Sequence, residues 1–495
     1  MVYLGIDIGT TGSKATAIDQ NGNARAFSHG EYKTVRNDRG YSEIDPISVW
    51  KTVQEIIADA AAQAGEPVKA ISVASFGEAF VALDSHDNIL RNSILYSDVR
   101  GTEEIQDILE KFSEQELFNL TGMPVNSMFT LNKLLWVKKH EPEIFRQISK
   151  LFLFQDFIGY MLTGERYVDY SVASRTQFFD VKNLRWADRV LDTFGINASM
   201  LSIPVPTGQV IGKISARVAD QLGLPQDVLL IAGAHDQVCA ALGSGVLNKG
   251  QCVDGIGTSE CITTILSGFG RQEFMLENHF CIEPYAVAGE YVTLAFNSSG
   301  ASILSWFCEQ LVNPTGKACG RAEFRLIEDN CPADPTDLFA LPHFAGSGTP
   351  HMDPFSTGAI FGLRLNTKRE EIYKALVEGL CFEMKVNSEL LKSVGTKISE
   401  ITCAGGGSRS DMLLQVKADI MGIPIKRLKV VESGTMALAM LCETACSDFA
   451  SLDEAVQKMV QTDRIFYPNP RNHEVYLERF QIYKKIYSNT SFLRQ

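Results

Sequence analysis

The stretch Asp7-Ile8-Gly9-Thr10-Thr11-Gly12-Ser13-Lys14 decides the fold that we predict for this chain. A short apolar run, residues 2–8, leads into it, and residues 14–19 alternate in polarity as a strand does. Asn21-Gly22 then predicts a tight turn into a further strand at residues 24–27. A Walker or Rossmann loop would open a helix instead. The Gly/Thr stretch is therefore predicted to be a hairpin tip between antiparallel strands.

Such a tip suits phosphate binding. Glycine lets backbone N–H groups approach phosphate oxygens, and the hydroxyls of Thr10 and Thr11 add donors. A tight turn without a ligand would explain one loop of this kind equally well. However, Asp254-Gly255-Ile256-Gly257-Thr258-Ser259 repeats the Ile-Gly-Thr core of the first loop about half a chain later. Two similar loops in two halves indicate a duplicated domain that closes on a nucleotide.

Composition excludes several classes of protein. The 495 residues are 45% hydrophobic and 21% charged, as in an ordinary globular protein, and the net charge of −13 would repel nucleic acid or an anionic membrane. No apolar run reaches the length of a membrane span, and the first residues lack the basic start of a signal peptide. Eleven cysteines form no C-x-x-C pair, and we interpret Cys442 and Cys446 as packed thiols on one helix face. We therefore expect a cytoplasmic protein.

Strands and helices alternate along the chain. Asp45-Pro46 predicts a helix start, with an aspartate cap and proline in the first turn, and Gly65 its end. The remaining predicted elements are a buried strand at 70–75, a mostly helical stretch at 102–162, strands at 228–232, 251–256 and 401–404, and a helix that a capping box Thr367-x-x-Glu370 begins and Gly395 ends. We place a domain boundary after residue 245, giving domains 1–245 and 246–495. Whether the last helices pack back on the first domain is left open.

Several polar residues point to phosphoryl transfer. Asp7, at a strand end, is placed to hold Mg²⁺ directly or through water. Lys14 can pair with a phosphate across the hairpin, and Gly257-Thr258-Ser259 can bind phosphates from the other domain. The turn Gly405-Gly406-Gly407-Ser408 exposes backbone against which a nucleoside can lie.

Acceptor chemistry needs a carboxylate that takes a proton from the attacking hydroxyl. Asp236 follows an apolar strand and Gly233 at the start of a helix, which makes it the candidate base; a helix-capping aspartate is the alternative. A histidine such as His235 beside it is more often packed or hydrogen-bonded than a catalyst. Glu78, just past a buried strand, suits polyol hydroxyls, although a solvated loop acid fits as well. Asp98 is a further candidate for substrate binding.

Longer motifs resemble those of the FGGY carbohydrate kinase family. One signature is Met128-x-Thr130-x-x-Lys133-Leu134-x-Trp136-Val137-x-Lys139-His140. The other is Gly358-x-Ile360-x-Gly362-Leu363 followed, after seven residues, by Glu371-Ile372-x-x-Ala375-Leu376-Val377-Glu378. Between them, residues 156–165 and 169–176 are also typical of the family. The resemblance covers nearly the whole chain. It implies an α/β fold of two duplicated actin-like, ribonuclease-H-type domains, with ATP and sugar in the cleft between them.

The resemblance also implies roles. Residues 1–245 would carry the sugar side and the catalytic base, and residues 246–495 the adenosine side. Carried over by position, the metal-associated acid is Asp7, the base is Asp236 and the sugar contact is Gln237. The positions implied for ATP are Gly9, Thr10, Thr11, Lys14, Gly257, Thr258, Ser259, Gly300, Gly405, Gly406, Gly407 and Ser410.

Departures from the family pattern bear on the substrate. Glycerol kinases carry Arg-Glu where this chain has Gly77-Glu78, and xylulokinases usually carry Met-His. Residues 346–350 lack the Glu-Arg that many relatives have before Thr-Pro, and Ser410 stands where asparagine is common. Glycerol is therefore disfavoured and xylulose itself is questioned, although a xylulose-like ketose is the expected class of acceptor. The space at Gly77 and the carboxylate of Glu78 favour a neutral acceptor larger than glycerol, with gluconate ranked lower.

The leading hypothesis is an ATP- and Mg²⁺-dependent kinase of a small sugar, ketose or polyol, with no nucleic-acid or membrane partner; a homodimer is left open. An actin-like or chaperone-like switch ATPase and a non-catalytic sugar sensor are the alternatives. The first would need a peptide-binding or polymerisation segment, and Asp7 with Asp236 argues against the second.

Overall fold

The computed structural model describes residues 1–313, 320–429 and 432–493, and contacts divide the chain into two compact units. The first unit comprises Met1–Leu247, Cys281–Val292 and Glu432–Val460. The second comprises Asn248–Phe280, Thr293–Val431 and Gln461–Gln495, so the last helices belong to it. The predicted division into two contiguous domains at residue 245 stays a prediction. The two compact units are each made of three segments of the chain.

A six-stranded sheet forms the centre of the first unit. Its spatial order is Val210–Lys213, Leu229–His235, Val68–Ser75, Val2–Ile8, Gly12–Ile18 and Ala24–Glu31. The last three strands are antiparallel, whereas Val2–Ile8, Val68–Ser75 and Leu229–His235 run parallel. The predicted hairpin is confirmed, because Asp7 pairs with Lys14 and Ile8 with Ser13 on either side of the Gly/Thr tip.

The helix Pro46–Ala64 covers this sheet as its sequence predicts. Asp45 caps it by accepting from the N–H of Ile47, proline occupies the first turn, and Gly65 ends it in the left-handed conformation. Its buried face, which includes Val49, Val53 and Ile57, joins the core with Ile6 and Val73. Turn residues, caps and periodicity within a few residues were therefore enough to predict the hairpin and this helix.

The remaining elements of the first unit surround the sheet or build a second core beside it. The helices are Glu104–Leu109, Glu114–Thr121, Thr130–His140, Pro142–Gln147, Phe154–Thr163, Tyr170–Ser174, Asp188–Phe194, Ala216–Leu222, Asp236–Gly243, Ser433–Ala445 and Leu452–Met459, with a 3₁₀ turn at Ala198–Met200. The minor strand groups are Thr34–Arg36 with Ser42–Ile44 and Ser93–Ile94, Phe80–Leu83 with Lys150–Leu153, Tyr167–Asp169 with Ile203–Val205, and Phe179–Asp180 with Arg185–Trp186.

The second unit repeats the same plan. Its strands follow the order Tyr291–Asn297, Glu260–Ile265, Gln251–Ile256, Glu400–Ala404, Ile425–Leu428 and Thr462–Phe466. Gln251–Ile256 pairs antiparallel with the strand after its loop and parallel with Glu400–Ala404, which is the pattern that Val2–Ile8 shows in the first unit. The duplication expected from the two loops is thus present in the sheets as well as in the sequence.

Helices and short strands complete the second unit. The helices are Gln272–Glu277, Ala301–Phe307 continued by a π-turn at Cys308–Val312, Arg321–Glu328, Arg369–Ser393, Asp411–Met421, Pro470–Tyr483 and Ile486–Asn489, with 3₁₀ turns at Gly406–Arg409 and Ser491–Leu493. Phe339–Leu341 pairs with Ala359–Phe361, whereas Glu283–Pro284 pairs with Tyr291 and Val292 within the segment Cys281–Val292 of the first unit. Among the described residues, no helix has both the length and the apolar character that crossing a membrane requires.

One predicted cap is wrong by a residue. The helix begins at Arg369, and the N–H of Lys368 donates to Oε2 of Glu371 at 2.8 Å. The Oγ1 of Thr367 accepts instead from the N–H of Arg364, in the turn before the helix. Both Glu370 and Glu371 follow the turn, so local spacing does not say which one reaches back.

Candidate active site

All four backbone carbonyls of the first loop, residues 9–12, accept hydrogen bonds from other residues. The carbonyl of Gly9 accepts from the hydroxyl of Tyr32, that of Thr10 from Oγ1 of Thr34 at 3.1 Å, that of Thr11 from the N–H of Tyr32 at 3.2 Å and that of Gly12 from the N–H of Gly9 at 3.0 Å. Within the described residues, the N–H groups of Thr10 and Thr11 make no hydrogen bond. The loop therefore has donors available for an anion while its acceptors are occupied.

Asp7 lies beside this loop in a negative environment. Its neighbours are Asp236, Lys14 and Glu432, and Lys14 Nζ donates to Oε2 of Glu432 at 2.9 Å. Burial, then repulsion from Asp236, raises the pKa of Asp7 to about 6, although Lys14 opposes this. A divalent cation would offset this negative charge, so the residues present fit the predicted Mg²⁺ site.

The strand that precedes the candidate base Asp236 has an irregular register near its end. Regular pairing of Leu229–His235 with Val68–Ser75 shifts between Ala232 and His235, and a Cβ at Gly233 would lie 2.0 Å from the carbonyl oxygen of Val73. Only glycine fits so close to that strand. The strand then ends, and Asp236 begins the helix Asp236–Gly243 with its side chain about one-third exposed. The predicted placement of Asp236 at a strand-to-helix junction is confirmed.

Asp236 faces a buried histidine. His235 Nε2 lies 3.2 Å from Oδ1 of Asp236, and His235 Nδ1 lies 2.9 Å from Oε1 of Glu283. The N–H of His235 donates to the hydroxyl of Ser171 at 2.9 Å. Although burial opposes it, attraction from Glu283 and then Asp236 raises the pKa of His235 to about 9. A pKa near 9 makes His235 an imidazolium at neutral pH, and its surroundings fit the expected packed or hydrogen-bonded histidine.

Glu78 is buried and paired rather than solvated. Nε of Arg175 donates to Oε1 of Glu78 at 2.7 Å, and Nη2 of Arg175 donates to the same oxygen. Nη1 of Arg175 lies 3.5 Å from Oε2 of Glu283. One guanidinium thus joins Glu78 to the partner of His235. We call Glu78, Arg175, Glu283, His235 and Asp236 the charged cluster.

The expectation that Gly77 leaves free space is wrong. A Cβ at Gly77 would lie 2.6 Å from Cγ and 2.8 Å from Cβ of Arg175. The side chain of Arg175 already occupies that volume, because it must cross it to reach Glu78. An arginine beside Glu78 is therefore present, but it comes from residue 175 rather than residue 77.

Asp98 has little capacity left for a substrate. Its carboxylate accepts from the N–H of Ser42, the N–H of Arg100 and, in a bidentate pair, Nε and Nη2 of Arg100. Nζ of Lys133 donates to the carbonyls of Asp98 and Arg100, each at 2.6 Å. These contacts anchor the loop after Ser93–Ile94, and a role of Asp98 in substrate binding stays a prediction. Gln237 is the second residue of the helix that Asp236 begins, partly buried.

The second loop, residues 257–259, repeats the arrangement of the first. The carbonyl of Gly257 accepts from the N–H of Ala301 at 2.8 Å, and that of Thr258 from the N–H of Gly300 at 2.7 Å. A Cβ at Gly300 would lie 2.6 Å from the carbonyl carbon of Ser259, so this position has room only for glycine. Thr258 and Ser259 are exposed. The structure thus places Gly300 against the second loop, and a contact of Gly300 with ATP stays a prediction.

The glycine turn, residues 405–407, lies against the same strand end. Gly405 has φ of 81°, and a Cβ on Gly407 would lie 2.3 Å from Cγ2 of Ile256. A cavity of about 300 Å³ adjoins it, lined by residues that include Gly406, Gly407, Ser410, Tyr373 and Glu328. Ser410 caps the helix Asp411–Met421 and donates to Oε1 of Glu328 at 2.8 Å. Three of the candidate adenosine residues, Gly406, Gly407 and Ser410, therefore line one cavity.

Sequence reasoning missed Arg175, Glu283 and Glu432. Arg175 stands in a quoted family motif, but nothing local shows that it turns toward Glu78. Glu283 lies on a two-residue strand in a segment that joins the first unit from far along the chain. Glu432 immediately precedes a helix and looks like an ordinary helix-start acid. Spatial proximity alone marks them.

Family models match both halves of the chain. The model for the N-terminal domain of the FGGY family of carbohydrate kinases matches residues 2–243, and the model for the C-terminal domain of that family matches residues 255–446.

Individual proteins match the full length. The xylulose kinase of Staphylococcus epidermidis is 30% identical over 99% of this chain and 97% of its own length. Two crystal structures from Lactobacillus acidophilus, a gluconate kinase and a ligand-bound xylulose kinase, each superpose with a TM-score of 0.90 at 28% identity, covering 99% of this chain and 98% of theirs. The two-domain α/β fold is that of these kinases.

Proposed function

Because the chain belongs to the FGGY family of carbohydrate kinases, and so transfers a phosphoryl group from ATP to a sugar hydroxyl, we propose that its acceptor is a xylulose-like ketose and that Asp236 is the base. The position of Asp236 is the observation that supports its assignment as the base. It is a partly exposed carboxylate at a strand-to-helix junction, with one oxygen facing an imidazolium and with Asp7 within electrostatic range. No other described acid of the charged cluster is both exposed and free of an arginine.

The reaction assigns a simple task to each residue. Asp236 accepts the proton of the sugar hydroxyl while the oxygen of that hydroxyl bonds to the γ-phosphorus of ATP. The bond between the γ-phosphorus and the bridging oxygen to the β-phosphate breaks, which releases ADP. Thr10 and Thr11 of the first loop, together with Lys14, contact the phosphates, and so do Gly257, Thr258 and Ser259. Asp7 would hold Mg²⁺, which supplies charge neutralisation on the phosphates when bound.

The charge of the cluster favours a neutral sugar. Arg175 and the imidazolium of His235 carry two positive charges, whereas Glu78, Glu283 and Asp236 carry three negative charges. The remaining negative charge would repel the carboxylate of gluconate. The full-length likeness to xylulose kinases supports the ketose, with Gln237 as a further sugar contact.

A sugar panel tests the acceptor. Purified enzyme is assayed for ADP release with MgATP and D-xylulose, other ketoses, neutral polyols, glycerol and gluconate. We expect kcat/KM for a ketose to exceed that for gluconate and glycerol by at least about tenfold. A panel led by gluconate would contradict the charge argument. ADP release without any sugar would instead favour the switch ATPase.

Replacing the base tests the assignment of Asp236. Asp236→Asn keeps the shape of the side chain but cannot accept the proton, so kcat should fall by roughly two to four orders of magnitude. Binding of ATP, measured by calorimetry, should stay within about twofold. Asp220→Asn, an exposed aspartate in another helix of the same unit, is the matched control. Near-normal turnover of Asp236→Asn would refute the assignment.

We further propose a cytoplasmic location and a requirement for Mg²⁺. The ten described cysteines form no disulfide with one another, which suits a reducing cytoplasm. Removing Mg²⁺ with a chelator should abolish turnover, and re-addition should restore it. Sedimentation would decide between a monomer and a homodimer.

A further inference from the structure

The charged cluster contains more groups than proton transfer from a sugar requires. Glu78, Arg175, Glu283 and His235 form an unbroken series of ion pairs that ends at Asp236, with separations of 2.7, 3.5, 2.9 and 3.2 Å. All four residues before Asp236 are nearly or fully buried. Taking these charges out of water costs free energy, which a single good pair seldom recovers.

Four separate segments supply the series, and His235 with Asp236 comes from the junction of the strand Leu229–His235 with the helix Asp236–Gly243. Glu78 follows the strand Val68–Ser75, Arg175 ends the helix Tyr170–Ser174, and Glu283 lies on the strand Glu283–Pro284. Glu283 belongs to the short segment 281–292, which joins the first unit although the chain on either side belongs to the second. The contact of Glu283 with His235 is therefore specific to the folded first unit.

His235 is held on both sides of its ring. Glu283 faces Nδ1, Asp236 faces Nε2, and the backbone N–H is fixed by Ser171. The charged groups that face the ring are Glu283 and Asp236, which favour the imidazolium, and Arg175, which opposes it. The ring can neither rotate nor lose its proton at neutral pH without breaking one of these pairs.

We propose that His235 and Glu283 are positioning residues for Asp236: Glu283 holds the His235 imidazolium so that it fixes one oxygen of Asp236 and leaves the other for the sugar hydroxyl. This inference rests on the proposed function, since it takes Asp236 as the base. Arg175 extends the series to Glu78. The predicted sugar contact Glu78 and the base Asp236 therefore belong to one network of ion pairs.

The arrangement has a consequence for pH dependence. The pKa of His235 is raised to about 9, mainly by Glu283, so the imidazolium persists through neutral pH and is lost above it. Once His235 is neutral, its attraction for Asp236 disappears and the base is no longer held. Turnover should therefore fall on the alkaline side, at a pH that Glu283 determines.

Profiles of kcat against pH, at saturating MgATP and sugar between pH 6 and 10, test the proposal. The wild type should show an alkaline limb near pH 9. Glu283→Gln removes the largest attraction, so its limb should move to lower pH by at least about one unit, and Glu283→Asp should largely restore it. In His235→Gln the alkaline limb should disappear and kcat should fall by about 10- to 100-fold. The KM for ATP should stay within about twofold of the wild-type value.

Controls separate this effect from misfolding. Glu290→Gln, in the same segment, should keep the wild-type limb, and circular dichroism reports the fold of each variant. If Glu283→Gln and His235→Gln lower kcat but leave the limb unmoved, the residues have a structural role only and the proposal fails.

Nuclear magnetic resonance of ¹³C-labelled histidine gives a readout that needs no turnover. The resonance missing from His235→Gln identifies His235, which should titrate near pH 9 in the wild type and lower in Glu283→Gln. Titration near 6.5 in both would overturn the proposal, whatever the activity. Absence of sugar-dependent turnover combined with the expected titration would instead refute the proposed function and leave the ion pairing of His235 established.

Discussion

At the scale of the residue, His235 links stability to pH. Its pKa is raised from 6.5 to about 9 in the folded chain, so the folded state binds this proton more tightly than the unfolded state. The contribution to stability is complete below pH 6.5 and is lost as pH rises through 9. His235→Gln should therefore lower the free energy of unfolding by about 1–3 kcal/mol at pH 6.

Chemical denaturation at pH 6, 8 and 10 measures this effect. The difference between wild type and His235→Gln should shrink steadily as the pH increases. His86→Gln, an exposed histidine in the same unit, provides the control with no such trend. A deficit of His235→Gln that is equal at all three pH values would mean that packing, not charge, sets its effect.

At the scale of the element, the two loops share a design in which hydrogen bonds occupy their carbonyls, as the proposed binding of phosphate through backbone N–H groups requires. In the second loop this depends on Gly300, whose backbone lies too close to Ser259 for a side chain. Gly300→Ala should displace the loop and raise KM for ATP about tenfold or more, with KM for the sugar little changed. Gly270→Ala, at a position with open space, is the control.

Steady-state kinetics with each substrate varied in turn distinguish the outcomes. An equal rise in both KM values for Gly300→Ala would indicate general disruption rather than a defect at the second loop. An unchanged KM for ATP would remove the second loop from the proposed phosphate contacts.

At the scale of the whole molecule, both units bury their thiols. Seven described cysteines are buried and three are intermediate, namely Cys261, Cys331 and Cys446. Burial raises the pKa of Cys239, Cys252, Cys403 and Cys442 well above its usual range, which keeps them as unreactive thiols.

Alkylation of the native protein, followed by peptide mass spectrometry, should label the seven buried cysteines far more slowly than in the protein unfolded by guanidinium. Cys319 lies outside the described residues and is not assigned to either group. Rapid labelling of Cys239 or Cys403 in the native state would show that the cores open more readily than their packing implies. Detection of a disulfide among the described cysteines would contradict the structure, in which they form none.

Local patterns in the sequence were enough for much of the fold and for part of the site. The hairpin around Gly9–Gly12, the capped helix Pro46–Ala64, the strand that ends at Asp236 and the second loop all follow from periodicity, turn residues and caps, which act over a few residues. The family resemblance added the predicted nucleotide positions. The shifted cap at Lys368 marks the limit of this reasoning, since two adjacent glutamates offered the same local signal.

Tertiary structure alone decided how the polar residues pair. Arg175 fills the space beside Gly77 and binds Glu78, Arg100 takes the carboxylate of Asp98, and Glu283 reaches His235 from a distant segment. Charge pairing depends on distances between side chains, which burial strengthens but which sequence separation does not record. The sequence by itself therefore determined the family and where the candidate polar residues lie along the chain, whereas packing determined which charges oppose one another and which carboxylate of the charged cluster has no arginine beside it.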